Sequence, residues 1–364
     1  MLYVGLDVHT AATTLTIRNA EGDIIARDVI ATTREAFRAR FSRLRGRMRV
    51  VCEAGPLAGW VSVVLTTRAR EVVICDPRQN ALILRGAKTD RVDADKLSEL
   101  LRLNALRRVF LGDEATRELR RLVWYFLSTQ NDRRRNIHRL HSIFRSLGIG
   151  FKASAGRPEQ VPLRRLRNRW SRFIVHALLE EIARLKVVIE AAREQLLEHA
   201  AQHPAFHLLQ TIPYVGKMRA AELIAIVGVP HRFTSLRKFW AYAGLAVVRR
   251  SSSEHWLRRG RPVRKQVARG LHLNRNRHLR LKRIFHDIAL FASFGRGEFR
   301  ALYDKHIARG KEPSIARIAL ARKVASIVRA VWCSGCEYDP SRLQVGQQFG
   351  PSIDAAVRSR VARS

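Results

Sequence analysis

Apolar and polar positions alternate in short runs along the first hundred residues, which is typical of strands with one buried face. In the first run, Leu2, Leu6 and Val8 alternate with other residues, so a strand here turns Asp7 to the face opposite its apolar side chains. Five strands are predicted in all, at 2–8, 13–18, 23–30, 47–53 and 71–76. Helical spacing of apolar residues predicts one helix after each of the last three strands.

Three strands, a helix, a strand, a helix, a strand and a helix is the element order of the ribonuclease H superfamily. In that fold a mixed sheet carries helices on its faces. The sequence therefore predicts an α/β RNase H-like N-terminal domain over residues 1–110.

Between residues 113 and 200 the apolar period changes to heptads, and Gln130 and Arg133 break the apolar seam of the first run. Two runs, at 119–147 and 178–196, are joined by an arginine-rich turn. This pattern predicts a helical coiled-coil linker whose seams pair within one chain or between subunits. A helical spacer packed on its own chain is the other interpretation.

Residues 205–335 form a third, mainly α domain, and residues 338–364 are predicted to be a basic tail. The stretch 209–228 resembles a helix-hairpin-helix, in which a glycine lets backbone N–H groups at a helix start approach a phosphate. Gly216 and Lys217 are the candidates for such a contact. An ordinary helix connection explains the same residues.

The net charge is +37, from 68 basic and 31 acidic residues, and the commonest cellular polyanion able to neutralise so many cations is nucleic acid. The first hundred residues hold 16 basic and 12 acidic side chains, so the excess lies downstream. A membrane surface is the weaker alternative, because no apolar run approaches the length of a spanning helix. Without a signal-like amino terminus, we expect a cytoplasmic protein.

Four carboxylates stand out in this basic chain: Asp7, Glu53, Asp90 and Asp93. The first two end neighbouring strands of the predicted sheet, and the other two share one face of the following helix. Hard Mg²⁺ prefers carboxylate oxygens, and two such ions can drive phosphoryl transfer. The alternative is that the helical pair, with Asp95, merely complements the helix dipole.

A run of serines, Ser251, Ser252 and Ser253, lies within a strongly basic region. From residue 255 to 286 there are eleven Lys or Arg and no acidic residue. Neighbouring guanidinium groups would stabilise charge on a phosphate that a serine attacks. The spacing of the serines alone favours a different interpretation, in which they belong to a loop that contacts phosphate without attacking it. The nucleic-acid-binding candidates are Arg249, Arg250, Arg258 and Arg259.

Four blocks closely resemble the DEDD-type transposases of insertion-sequence family 110. They read GLDVH at the start, CEAGP, KTDRVDADKL, and IPYVGKMRAAELIAIVG with its following F-x-S-x-x-x-F-W-A-Y-A-G-L. The resemblance implies a RuvC-like domain, a coiled-coil linker and a transposase domain with a serine nucleophile. It also implies recombination of donor and target DNA, guided by a noncoding bridge RNA, in a homo-oligomer such as a dimer or tetramer.

The same resemblance places the magnesium ligands of the family on Asp7, Glu53, Asp90 and Asp93. Its nucleophile falls on Ser252, with Ser251 or Ser253 as the alternatives. The chain departs from the usual pattern here, since Ser253 replaces a glycine and Ala246-Val247 lacks the usual proline.

The leading hypothesis is thus a magnesium-dependent DNA recombinase with a serine nucleophile. A RuvC-like Holliday-junction nuclease that uses metal-activated water is one alternative. A non-catalytic protein that binds structured RNA is the other, because the net charge suits RNA equally well. No functional hypothesis rests on the four cysteines. Cys52 and Cys75 lie in strand-like apolar runs, where cysteine is usually a small buried residue. Cys333 and Cys336 form a single C-x-x-C pair, which is weak support for a zinc site.

Overall fold

The computed structural model describes residues 1–76, 90–150, 161–249, 255–258, 261–264, 271–274 and 276–344. The chain divides into two compact units, Met1–Asp113 and Glu114–Ser364. The first contains a five-stranded sheet with helices, and the second is mainly helical. Within the described ranges, no helix is both long and apolar enough to cross a lipid bilayer.

The first unit follows the predicted order of elements. Its strands are β1 Leu2–Val8, β2 Ala12–Arg18, β3 Ile24–Ala31, β4 Met48–Glu53 and β5 Glu71–Cys75. Its helices are α1 Arg34–Ser42, α2 Ala58–Leu65 and α3 Asp90–Arg102. The sheet order is β3-β2-β1-β4-β5, with β2 antiparallel to both neighbours and β4 parallel to β1 and β5. This mixed sheet is consistent with an RNase H-like domain, as predicted.

The predicted turn between β2 and β3 is present and has a clear local cause. The Oδ1 of Asn19 accepts hydrogen bonds from the backbone N–H groups of Gly22 and Asp23, both at 2.8 Å. Gly22 has a φ of +107°, a conformation that glycine adopts without steric cost. The side chain and the glycine together close the turn.

The strict alternation along β1 and β4 creates a core on each face of the sheet. On one face Val4, Leu6 and Val50 pack against the apolar sides of α1 and α2. On the other face Val51 packs against Leu97 and its neighbours on α3. Successive residues of these strands therefore face opposite sides of the sheet, and this alternation determines the face on which each polar side chain lies.

Gly5 sets the distance between β1 and α3. A Cβ added at Gly5 would lie 2.2 Å from the carbonyl oxygen of Ala94 and 2.6 Å from the backbone nitrogen of Ser98. Both atoms belong to the helix backbone, which cannot rotate away as a side chain can. Only glycine lets α3 lie this close to the strand.

The second unit contains two long helices followed by shorter ones. They are α4 Glu114–Ser146, α5 Arg169–Ala201, α6 Ala205–Gln210, α7 Lys217–Val227, α8 Leu236–Tyr242, α9 Leu279–Phe294, α10 Glu298–Ala308, α11 Pro313–Ser334 and α12 Ser341–Gln344. It also contains four short strands that the apolar pattern did not predict. These are β6 Val247–Arg249, β7 His255–Arg258, β8 Arg261–Arg264 and β9 Leu271–Leu273, with β6 antiparallel to β9 and β7 to β8.

Helices α4 and α5 form an antiparallel hairpin. Leu119, near the start of α4, shares a hydrophobic cluster with Leu196, near the end of α5. Phe144, near the end of α4, shares another cluster with Val175, near the start of α5. Leu147, the last position of the first predicted heptad run, is 46% exposed because α4 has ended by then.

A buried ion pair fastens α7 to α9 in the core of the second unit. Glu222 is 2% exposed, and its two carboxylate oxygens accept hydrogen bonds of 2.6 and 2.5 Å from Arg280. The core extends to Tyr338, at the start of the segment predicted as a tail. Its backbone N–H donates to Thr211 Oγ1 and its hydroxyl donates to Glu298.

Candidate active site and nucleic-acid interface

Asp7 and Glu53 lie at the same end of two adjacent parallel strands. The register of β1 and β4 pairs the residues immediately before them. Neighbouring strands lie about 4.8 Å apart. Asp7 is two positions after Gly5, and Glu53 is two positions after Val51. Residues two apart on a strand share a face, so both carboxylates are on the face of the sheet that α3 covers.

Helix α3 runs antiparallel to β1, which places its first turn near that end of the sheet. Its last residue, Arg102, interacts with Tyr3 near the start of β1, and its middle touches Gly5. The first turn of α3, with Asp90 and Asp93, consequently lies toward the end of β1 that carries Asp7. For Asp90 only the backbone is described.

Asp93 carries an unusual oxygen. Its Oδ1 is buried and has no hydrogen-bond partner within the described part of the chain. A buried carboxylate oxygen without a partner costs free energy unless a hydrogen-bond donor or a cation satisfies it. This side chain is suited to a ligand that carries positive charge.

Asp95 has the opposite surroundings. Its carboxylate accepts a 2.6 Å hydrogen bond from Thr16 Oγ1 and bonds of 3.0 and 2.8 Å from Arg27. Burial alone raises the pKa of Asp95, but the bonds from Arg27 and Thr16 outweigh it and hold the pKa below its ordinary value. Asp95 therefore fastens α3 to β2 and β3.

His9 is a neighbour of the carboxylates that the sequence interpretation missed. Its Nε2 lies 3.3 Å from the Oδ2 of Asp7, whose side chain is 17% exposed. The signal was present in the Asp-x-His spacing, since residues two apart on a strand share a face.

The fit of this region to a divalent cation rests on its carboxylate donors and on the Asp93 oxygen that has no partner among the described residues. Carboxylate oxygens are the donors that hard cations prefer, and Asp93 Oδ1 needs a positive partner. In the part of the chain whose side chains are described, which excludes Asp90, no three His, Cys, Asp or Glu groups come together to hold a metal ion. The carboxylate oxygens present are therefore of the chemical type that binds a divalent cation.

The candidate nucleophiles lie between two of the short strands. β6 ends at Arg249 and β7 begins at His255. Ser251, Ser252 and Ser253 lie between them, outside the described residues, as do Arg250 and Arg259. Arg249 and Arg258 lie on β6 and β7, where only their backbone is described.

The strand that leads to the serines is held firmly at its start. Gly244 has a φ of +68°, and a Cβ there would lie 2.2 Å from Cδ of Arg277. After this turn, Arg322 donates a 2.6 Å hydrogen bond to the carbonyl of Leu245, and the N–H of Asn274 donates to Ala246. The Tyr-Ala-Gly-Leu sequence thus forms a fixed turn before β6.

His278 lies beside this turn and caps α9. Its Nδ1 accepts a hydrogen bond of 3.3 Å from the N–H of Leu281, and its ring lies 5.7 Å from that of Tyr242. Burial, together with the charges of Arg120 and Arg232, lowers the pKa of His278 to about 4. The imidazole is therefore neutral at physiological pH.

The helix start at Gly216 is open to solvent, as a phosphate contact requires. Gly216 and Lys217 are exposed, and within the described ranges no side chain caps the first turn of α7. Arg219 has a different role, since it donates a 2.6 Å hydrogen bond to the carbonyl of Tyr214 and stacks 5.5 Å from the ring of Phe291. Phe291, at 55% exposure, is a further surface residue here that the sequence did not single out.

The cysteines have contrasting surroundings. All four are free thiols. Burial, with smaller contributions from Cys75 and Glu53, raises the pKa of Cys52 to about 12. Cys333 is half-buried and Cys336 is exposed. The two buried thiols behave as small core residues, as their positions in β4 and β5 predicted.

Two family models match the chain. The DEDD transposase model of IS110, described as "Transposase", matches residues 4–149. A second model, described as "Transposase IS116/IS110/IS902 family", matches residues 206–304. Together they cover more than half of the chain and include the carboxylates, the α7 start and the serines.

A curated relative is similar over part of its length. It is the "Insertion element IS110 uncharacterized 43.6 kDa protein" of Streptomyces coelicolor, 30% identical over 161 residues. The similarity covers 44% of this chain and 36% of the relative.

Proposed function

Because the chain belongs to the IS110 family of transposases, we propose that it is a DNA recombinase that cuts and rejoins strands for the movement of an insertion sequence. The observation that carries the proposal is the buried Oδ1 of Asp93, which has no hydrogen-bond partner among the described residues and lies at the start of the helix that covers Asp7 and Glu53. A site for hard cations at this sheet edge is what metal-assisted phosphodiester cleavage needs.

Asp7, Glu53, Asp90 and Asp93 would hold the cation, and Mg²⁺ is the ion that suits this all-carboxylate set. When bound, Mg²⁺ supplies positive charge that polarises a phosphate and stabilises the leaving oxygen. Asp95 is not a ligand in this proposal, because Thr16 and Arg27 already occupy its oxygens.

Ser252 is the proposed nucleophile. Its Oγ attacks the phosphorus of a DNA phosphodiester and loses its proton, a new Oγ–P bond replaces a P–O bond, and the departing strand leaves as a hydroxyl. A hydroxyl of another strand then attacks the serine-linked phosphate and restores a phosphodiester. Arg249, Arg250, Arg258 and Arg259 would stabilise the phosphate charge during both transfers.

The partners proposed are donor DNA, target DNA and a noncoding bridge RNA that supplies the sequence information. Gly216 and Lys217 would contact the nucleic-acid backbone, which positions a complex without reading its sequence. The α4–α5 hairpin would act as a coiled-coil linker in a dimer or tetramer. Sequencing the noncoding DNA beside the gene tests the RNA: we expect a foldable transcript with segments that match the element ends and the target.

The serine route and the cation site are tested together on labelled DNA from an element end. Ser252→Ala should abolish protein-linked DNA on denaturing gels, whereas Asp7→Ala should abolish cleavage altogether. Ser251→Ala and Ser253→Ala are matched controls that should retain the adduct, and Asp23→Ala is the acidic control in the first unit. Full transposition by both principal variants would refute the assignment.

Two other outcomes identify the alternative functions. Free 5′-phosphate ends with no protein-linked DNA would indicate a RuvC-like junction nuclease that uses water. Function that survives the loss of magnesium and of the carboxylates would indicate a non-catalytic RNA-binding protein.

A further inference from the structure

Large apolar side chains are exposed on the first turns of α5, at the end of the α4–α5 hairpin. Trp170 is 62% exposed, Phe173 is 69% exposed and Ile174 is 47% exposed. Their spacing of three and four residues places them on one face of the helix. We call Trp170, Phe173 and Ile174 the hairpin-end surface. Two aromatic rings on one exposed face are unusual for a surface that contacts only water.

This exposure does not result from a frayed helix end. Leu166 and Val175, on either side of the exposed rings, are fully buried in the cluster that contains Phe144. Asn168 caps α5 by accepting a 2.7 Å hydrogen bond from the N–H of Trp170. Because the backbone is held in place before and after the two rings, Trp170 and Phe173 project from a well-packed part of the helix.

The surroundings of the hairpin-end surface are strongly basic. Between Val161 and Leu179 the sequence contains five arginines and no acidic residue. All five are exposed: Arg164, Arg165, Arg167, Arg169 and Arg172. The guanidinium of Arg169 lies 4.2 Å from the centre of the Trp170 ring. Exposed rings beside arginines are the combination that binds single-stranded nucleic acid, by base stacking and phosphate neutralisation.

We propose that the hairpin-end surface binds an unpaired stretch of RNA, with bases stacked on Trp170 and Phe173 and phosphates against the surrounding arginines. Unpaired bases in RNA loops expose the flat faces that stacking requires, whereas a DNA duplex keeps those faces inside. A second copy of the chain is a poor occupant, because a symmetric contact would bring two sets of five arginines together.

The inference rests on the RNA partner of the proposed function and gives that partner a location. It does not depend on DNA cleavage, since the surface is described by rings and charges alone. Binding measured without DNA can therefore fail or succeed independently of recombination.

The test uses the full chain and an oligoadenylate RNA that contains 2-aminopurine, whose emission falls when it stacks. Trp170→Ala with Phe173→Ala should weaken binding by about 5- to 150-fold for each ring removed. The emission change on binding should disappear. The dependence of affinity on salt should keep its slope, because the variant keeps every arginine that neutralises a phosphate.

The controls separate stacking from charge and from folding. Val187→Ala removes an exposed apolar side chain from the same helix, 70% exposed, and should change none of these readouts. Trp170→Phe should retain most of the emission change. Asp7→Ala should bind the RNA normally while DNA cleavage is abolished, which keeps the two proposals distinct.

Several results would overturn the inference. One is an equal loss of affinity for a fully paired RNA of the same length, which would make the effect electrostatic. Another is tighter binding of oligodeoxyadenylate with the same dependence on the rings, which would assign the surface to DNA. A third is unchanged RNA binding with weakened self-association in sedimentation, which would assign it to a second copy.

Discussion

Asp93 and Asp95 stand two positions apart on α3, yet their carboxylates have opposite surroundings. The Oδ1 of Asp93 is buried without a partner in the described part of the chain, whereas Asp95 is bonded to Thr16 and Arg27. One oxygen of Asp93 lacks a partner among the described residues, while both oxygens of Asp95 accept hydrogen bonds, so Asp93 suits a cation ligand and Asp95 an anchor for the helix. The proposed roles of the two residues follow from this contrast.

The contrast predicts opposite effects on stability. Asp93→Asn should leave the free energy of unfolding unchanged or raise it in EDTA, because it removes the negative charge from a side chain whose buried Oδ1 has no partner among the described residues. The added stability that magnesium gives the wild type should be absent in this variant. Asp95→Asn should lower the free energy of unfolding by about 1–3 kcal/mol with or without magnesium. Urea titrations of both variants decide the question, and equal destabilisation in EDTA would contradict it.

His278 predicts a pH dependence of stability. Its folded pKa is lowered to about 4 from 6.5, so between these values the unfolded chain binds a proton that the folded protein does not. Stability should therefore fall as the pH falls from 6.5 to 4, with no further contribution below that. His278→Asn keeps a capping side chain and should flatten this part of the curve. Urea titrations over this pH range provide the measurement, and an unaltered curve in His278→Asn would contradict the prediction.

At the scale of elements, the position of α3 depends on the close approach at Gly5. Gly5→Ala should lower the free energy of unfolding by about 1–3 kcal/mol, because the helix backbone must move away. It should also reduce DNA cleavage, since α3 carries Asp90 and Asp93. Gly55→Ala is the matched control, because a Cβ there meets no atom of the described residues within 4 Å. Thermal unfolding and a cleavage assay on both variants provide the measurements.

The elements that the sequence predicted best are those with one consistently buried face. β1 was predicted from its period-two alternation, β4 and β5 from short apolar runs, and α4 and α5 from apolar residues that recur at helical spacing despite the interruption at Gln130 and Arg133. The short strands β6 to β9 were missed because three or four residues, several of them arginine, give no period to detect. They pair through backbone hydrogen bonds that no side-chain pattern reveals.

At the scale of the whole molecule, the charge is distributed unevenly along the chain. The first hundred residues hold only four more basic than acidic side chains of a total excess of 37. Nucleic-acid affinity should therefore depend mainly on residues of the second unit.

This distribution predicts how affinity responds to salt. For a DNA duplex from an element end, Arg258→Ser with Arg259→Ser should reduce the slope of log affinity against log salt by about one for each phosphate that is no longer neutralised. Arg43→Ser with Arg45→Ser removes two exposed arginines from the first unit and should leave the slope unchanged. Equal changes in both variants, measured by fluorescence anisotropy, would mean that binding does not favour the second unit.

The order of residues along the chain is enough to establish which faces are buried and which residue types are available. The parity of Asp7 and Glu53, the heptads of α4 and α5, and the basic excess after the first unit all follow from it. These properties depend on the pleat of a strand, the pitch of a helix and the sum of charges, which require no knowledge of distant parts of the chain.

Which polar groups find partners depends instead on the folded chain. Thr16 and Arg27 reach Asp95 across 79 and 68 residues of sequence, and the Oδ1 of the half-buried Asp93 has no partner among the described residues. Likewise, burial beside Arg120 and Arg232 makes His278 neutral, and packing of the α5 start leaves Trp170 exposed. Hydrogen-bond partners, desolvation and exposure are set by chain segments far apart in sequence, so no local pattern encodes them.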